Sequence, residues 1–242
     1  MQQNYPQKPG LDFILKQAFY YWNRTLLFQL MFSIVYFAVF FTAFFFFIDY
    51  YEISSYNAEL LDAFRKGQEA YLQQIQKMST TENVIYFDYA FSGILIFLYP
   101  LNLGLFQIYR KIDLQEPISL GDLFAGYNGL NFFRYVSYFL FWFMLFRLTS
   151  FTVIIPVFWV MVTLFVAPLM FFQNKTIFEA ISINWKALKT HFVEILVCVI
   201  VAFIFRYVGF AVFFVGILLT FPFWNAMIYS LYKTIFTEKK PE

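Results

Sequence analysis

With 242 residues, 61% of them hydrophobic and only 13% charged, the chain has too little polar surface to cover a water-soluble globule, in which charged residues usually make up about 25%. A formal net charge of +2 without a dense basic run excludes the electrostatic footprint of a nucleic-acid binder. One His and one Cys are too few for a convergent zinc-ligand set.

Taken in chain order, the first predicted element is a cytoplasmic amphipathic segment over residues 1–25. In it Leu11, Ile14, Leu15, Ala18, Phe19 and Trp22 recur at helical spacing. Lys8, Asp12, Lys16 and Arg24 precede the apolar run and no small-x-small pattern follows it, so the run reads as a retained anchor and not as a signal peptide. The run itself, Leu26 to Ile48, holds 23 residues without a charge. At 1.5 Å per residue that is about 34 Å, enough to cross a hydrocarbon core of about 30 Å.

Residues 49–88 form the one sizeable polar stretch, an expected external loop. Leu60, Leu61, Phe64, Tyr71, Ile75 and Met78 predict an amphipathic helix there, with Glu59, Asp62, Arg65, Lys66 and Glu69 around it. Such a helix needs a partner for its apolar face: this protein's own outer surface, another envelope protein, or the outer leaflet. Five further spans are expected at Tyr89–Tyr109, Phe132–Thr149, Phe151–Phe172, Phe192–Phe205 and Tyr207–Tyr232. The fifth has only 11 wholly apolar residues between Glu194 and Arg206, so its polar ends must snorkel.

Placing the amino terminus inside leaves Lys8, Lys16, Arg24, Arg110, Lys111, Arg134, Lys175, Lys186, Lys189, Lys233, Lys239 and Lys240 cytoplasmic. Arg65, Lys66, Lys77, Arg147 and Arg206 fall outside. That asymmetry, covering all 17 basic residues, predicts both termini in the cytoplasm.

A repeat runs through this order. Each odd span follows a short amphipathic segment and begins at a basic residue, Arg24, Arg134 or His191. Each even span contains a proline, Pro100, Pro168 or Pro222, and ends in basic residues. The expectation is an all-α integral membrane protein, a single membrane domain over 1–242. Its six transmembrane helices form three pseudo-repeated hairpins, each preceded by an interfacial amphipathic helix. Ser119 with Asp122 and Thr176 with Glu179 are capping boxes that start two of those helices. After Thr176, Ile177, Ala180, Ile181, Asn184 and Leu188 mark the apolar stripe, with Lys186 and Lys189 off it; lipid and the underside of the bundle are equally good partners for it.

Three stretches carry a family resemblance: "PISLGDLFAGY" before the third span, "FVAPLMFF" with "TIFEAISINWKALKTHF" across the fourth and fifth, and "GFAVFFVGILLTFPFWNAMIYSLYK" in the sixth. Over roughly Ile118 to Lys233 the chain resembles the membrane domain attached to some bacterial glycerophosphodiester phosphodiesterases and the related stand-alone six-span bacterial membrane proteins. The resemblance implies a bacterial cytoplasmic membrane and a helical bundle. It brings no catalytic residue, because the soluble phosphodiesterase domain is absent from this sequence.

Candidate residues are therefore structural or interacting. Asn102 and Asn225, each just after a proline, can recap carbonyls freed by the kink or line a small polar cavity. Gln107 and Thr163 are the other notable polar groups within spans, and Cys198 reads as a core thiol. His191 reads as an interface anchor, with a titrating pair to Glu194 as the sharper alternative. Arg147 and Arg206 end the third and fifth spans, while Asp49 and Glu52 end the first. Convergence of these ends, with an arginine in salt-bridge reach of Asp49 or Glu52, is expected, the alternative being arginines on lipid phosphates. The 38 Phe and the residues Trp22, Trp142, Trp159, Trp185 and Trp224 read as apolar filling and interfacial belts.

No catalytic, metal or cofactor site is expected. Membrane lipids are the expected partners, with other membrane or envelope proteins engaged through 49–88, and no nucleic acid. The function expected is a non-enzymatic accessory or scaffold subunit, or a lipid-interacting protein. A transporter of a small, weakly charged or amphiphilic solute is the alternative, and a membrane-embedded lipid enzyme the third reading.

Overall fold

A computed structural model describes residues 10–129, 131–152, 154–211 and 215–237. Lys8, Lys239 and Lys240, counted above as cytoplasmic, lie outside the described residues. Every regular element among the described residues is helical. In order these are α1 (Leu11–Arg24), α2 (Leu26–Tyr50), α3 (Asn57–Lys66), α4 (Gln68–Ser79), α5 (Glu82–Leu98), α6 (Leu101–Asp113), α7 (Asn131–Thr149), α8 (Ile154–Thr163), α9 (Val166–Gln173), α10 (Ile177–Thr190), α11 (Phe192–Val208), α12 (Ile217–Thr220) and α13 (Phe223–Phe236). Short 3-10 helices cover Ile53–Tyr56, Leu120–Tyr127 and Gly209–Ala211. The chain divides into two compact units, Val35–Leu98 and the remainder.

Among the described residues four helical stretches are long and apolar enough to cross a membrane: Leu26–Tyr50, Glu82–Asp113, Ile154–Gln173 and Phe192–Ala211. A fifth arises if Leu120–Tyr127 and Asn131–Thr149, bent by 69° at their junction, count as one broken span. The sixth expected span, Tyr207–Tyr232, is interrupted. It is divided among the end of α11, the 3-10 helix Gly209–Ala211, the four-residue α12 and the 14-residue α13. At 1.5 Å per residue α13 alone reaches only about 21 Å.

In the unit Val35–Leu98, α2 and α5 run antiparallel because alternate turns offer phenylalanines to one another. The Phe40–Phe91, Phe44–Phe91 and Phe44–Phe87 ring centres are 5.6, 5.8 and 6.0 Å apart. Between them the expected single amphipathic helix is in fact two. Gly67, at φ +116, breaks it, because a backbone angle that side chains resist is free only to glycine. The polar stretch is also shorter than expected, since residues 82–88 already belong to α5.

The other unit is built around α6 and α13. From Asn225 to Tyr232 every residue of α13 is buried. α1 buries Ile14, Ala18 and Tyr21, at i, i+4 and i+7, and packs on α13. Part of its apolar stripe is thus covered by protein, while Phe19 stays exposed. α10 lays Ala180, Asn184, Ala187 and Leu188 against α8 and α9 in the same way. Both capping boxes form as expected, although the Ser119 box opens a 3-10 helix rather than an α-helix. That helix lies so close to α6 that a Cβ on Gly104 would fall on the Leu123 backbone, and one on Gly126 would fall on the Pro100 carbonyl.

All three prolines stand where a helix stops and restarts. Pro100 precedes α6, Pro222 precedes α13, and Pro168 occupies the first turn of α9 just after the break at Leu164–Phe165. The cause is local: proline has no N–H and its ring crowds the carbonyl four residues back, so it is tolerated only in a first turn.

Candidate functional site

The densest polar constellation lies where α1, α2, α6 and α13 meet. Asp113 ends α6, where the helix dipole disfavours a carboxylate. Three donors offset this. The Tyr21 hydroxyl donates to Oδ1 at 2.7 Å, the Tyr229 hydroxyl to Oδ2 at 2.8 Å, and the Lys233 ammonium to Oδ1 at 2.7 Å. Lys233 also donates to the Tyr21 hydroxyl oxygen at 3.1 Å. The rings of Tyr21, Tyr109 and Tyr229 enclose the group, with centres 5.1 to 5.5 Å apart. The Gln29 amide donates to the Tyr109 hydroxyl at 2.6 Å and to the Thr25 hydroxyl at 3.1 Å.

Burial, then the hydrogen bond to Asp113, pushes the Tyr21 phenol far above its ordinary range. It therefore stays a proton donor throughout physiological pH. Both carboxylate oxygens of Asp113 are engaged, so the residue joins three helices. The clasp fixes the amino-terminal helix to the ends of α6 and α13.

A second tie joins α6 to the 3-10 helix. Lys111 meets Asp122 at 2.7 Å, and the Ser119 amide donates to the same carboxylate at 2.7 Å. Partial burial raises the Asp122 carboxyl, but Lys111 and Ser119 together outweigh it and hold it below its ordinary range. A depressed folded-state value means stabilisation that is complete above the unfolded-state range and is lost as acid titrates the folded group.

The helix breaks carry their own polar seals. The Phe165 N–H and the Met161 carbonyl, which would bond to each other in an unbroken helix, are taken by one side chain. Phe165 N–H donates to Asn184 Oδ1 at 2.7 Å, and Asn184 Nδ2 donates to Met161 O at 2.9 Å. The wholly buried Asn184 is thus inserted into the ladder of α8 and α9. Asn184→Leu should therefore leave two buried backbone groups unpaired at about 1–3 kcal/mol each. Thermal unfolding in detergent checks this; an unchanged midpoint would show that water replaces the amide.

Among the residues singled out from sequence, Asn102 and Asn225 come together. Asn225 Nδ2 donates to Asn102 Oδ1 at 3.0 Å, and Asn102 Nδ2 donates to the Tyr99 carbonyl at 2.8 Å beside Pro100. Asn102 thus adds its side chain to a carbonyl that its own backbone N–H already holds, and Asn225 links it to α13. The Trp22 indole donates to the Leu219 carbonyl at 2.8 Å, three residues before Pro222. Thr163 accepts from the Trp142 indole at 2.8 Å, and Cys198 is buried as expected. Arg134 donates to Asn174 and to the Lys175 carbonyl, fastening the start of α7 to the turn after α9.

His191 sits at the junction of α10 and α11, and no hydrogen bond or ion pair joins its side chain to that of Glu194. The Arg206 guanidinium lies 4.0 Å from the centre of the Phe221 ring, and that of Arg147 lies 5.8 Å from Phe143. Asp49 and Glu52 are exposed at the end of α2, with Glu52 in left-handed backbone at φ 54. Among the described residues no three His, Cys, Asp or Glu side chains gather into a metal-binding group. Sequence reading passed over Asp113, Tyr21, Tyr229 and Gln29. The available signal was Asp113 itself, an acid one helical turn after Arg110 at the end of an apolar run.

No family model, curated protein or solved structure matches this chain.

Proposed function

We propose that this chain is a non-catalytic accessory or scaffold subunit of a bacterial cytoplasmic membrane complex. In this reading it has six spans arranged as three repeated, proline-broken hairpins, and both termini are cytoplasmic. The observation that carries the reading is the disposal of polar groups. Asn102, Asn184, Asn225 and Thr163 hydrogen-bond within the protein, as does the amide N–H group of Gln29. The outward faces are left apolar: only 11% of the α2 window and 22% of the α11 window are buried. Such interior bonds hold membrane helices in fixed relation, while the open faces suit lipid or the helices of a partner.

Purification in a gentle detergent after cross-linking should recover a membrane protein in fixed stoichiometry. Solute-dependent thermal stabilisation together with solute uptake by reconstituted vesicles would instead establish the transporter. The orientation has its own check. Single cysteines at positions 60 to 75, in a Cys198→Ser background, should react with an impermeant thiol reagent added to whole cells. Cysteines beside Lys186 should not, and reversed labelling would overturn the sidedness.

A further inference from the structure

The segment between α2 and α5 folds as a two-faced helical hairpin. α3 and α4 run antiparallel: Gln74 Nε2 donates to Glu59 at 2.6 Å near the open end, and Phe64 meets Tyr71 edge-on at 5.8 Å near the Gly67 turn. Leu60, Ala63, Ala70, Tyr71, Gln74 and Met78 fill the space between the helices or its margins. At 100° per residue, Leu61 and Phe64 project from the same side of α3 relative to that seam as Leu72 and Ile75 do from α4. In an antiparallel pair these two sides form one face.

That face is open, with Leu61, Phe64, Leu72 and Ile75 at 53%, 68%, 55% and 41% exposure. The opposite face carries Glu59, Asp62, Lys66, Glu69, Gln73 and Lys77, where Asp62 pairs with Lys66 and Glu69 with Gln73. Phe and Leu exposed together on a folded hairpin need a partner.

We propose that this hairpin rests with its Leu61–Phe64–Leu72–Ile75 face in the surface of the lipid bilayer, as an interfacial platform between two spans. The inference rests on α2 and α5 crossing the membrane. The tether decides the occupant. Only Thr80 and Thr81 separate α4 from α5, and Tyr51, Glu52 and one 3-10 turn separate α2 from α3. Three backbone steps from Ser79 to Glu82 reach at most about 11 Å, so the hairpin cannot leave the vicinity of the span ends. Tyr50, Tyr51, Tyr86 and Tyr89 at those ends are the residues that favour the headgroup level. On the hairpin Glu59, Asp62 and Glu69 balance Arg65, Lys66 and Lys77, so apolar area and not attraction to anionic lipid drives the contact.

The test uses the full chain in the Cys198→Ser background, with single cysteines at Leu61, Leu72, Asp62 or Lys77 carrying an environment-sensitive fluorophore. Each variant is reconstituted into phosphatidylcholine vesicles, with and without phosphatidylglycerol, containing lipids with a nitroxide near the headgroup. The Leu61 and Leu72 labels should be quenched several-fold more than those at Asp62 and Lys77, with little dependence on phosphatidylglycerol or salt. Equal quenching of both faces would overturn the proposal. So would Leu72 emission that is blue-shifted yet unquenched, which would mean a protein covers the face, whether a second copy or another chain. A label at Phe41, in the middle of α2, separates the two readings. If lipids with a mid-chain nitroxide quench it while Leu72 stays unquenched, only the platform fails; if Phe41 is also unquenched, the membrane-spanning reading of α2 fails with it.

Discussion

Asp113→Leu should loosen the amino-terminal helix from the bundle and cost about 3 kcal/mol, the magnitude expected when one partner of a largely buried charged network is removed. The residue has two phenols and an ammonium to satisfy, and leucine leaves all three without their acceptor in a site where the Asp113 and Lys233 side chains are only 20% and 28% exposed. Asp113→Asn keeps one acceptor oxygen and the shape, so its loss should be about half as large. Two measurements check this together: the unfolding midpoint in detergent, and tryptic cleavage at Lys16 and Arg24, which should accelerate as α1 frees. A midpoint drop without faster cleavage would place the damage between α6 and α13 rather than at α1. An unchanged Leu variant would mean the clasp contributes nothing net.

How legible this was in sequence depended on the physics that fixed each element. Long charge-free runs such as Leu26–Ile48 are imposed by the bilayer thickness and were readable outright; α2 extends that run by two residues at its end. The capping boxes at Ser119 and Thr176 were readable because both partners are local. Pro100, Pro168 and Pro222 were readable as helix breakers for the same reason, and α6, α9 and α13 begin beside them. Asn184 was assigned to an apolar stripe, which is where it sits, but its use depends on a helix break 19 residues earlier in the chain. No local pattern reports that. Asp113 was missed through a different route. Counting only Lys and Arg treats the end of α6 as a basic loop, whereas its acid pairs with Lys233, 120 residues away. Gly67 was present in the sequence as a helix breaker, yet the apolar repeat on either side of it resembled one helix. The two faces of the hairpin emerge only once the chain reverses there.

Gly104→Ala should destabilise the protein by about 2 kcal/mol or more, the cost of forcing atoms into a filled space. This is opposite in sign to the usual effect. An alanine in place of a mid-helix glycine ordinarily stabilises by about 0.5–1 kcal/mol, because glycine loses more backbone freedom on folding. At Gly104 the new methyl would meet the backbone of Leu123 and not a side-chain tip, so nothing can rotate aside; the 3-10 helix Leu120–Tyr127 would have to lift as a body from α6. Lifting it would also strain the Lys111–Asp122 tie and carry Gly126 off the Pro100 carbonyl. Gly93, in α5, supplies the internal control, since a Cβ there meets nothing within 4 Å. Gly93→Ala should leave the unfolding midpoint unchanged or raise it, while Gly104→Ala lowers it and Gly104→Val lowers it further. Opposite signs for one chemical change at two helical glycines would locate the close backbone contact. A stabilising Gly104→Ala would mean that the segment from Ile118 to Tyr127 does not lie on α6.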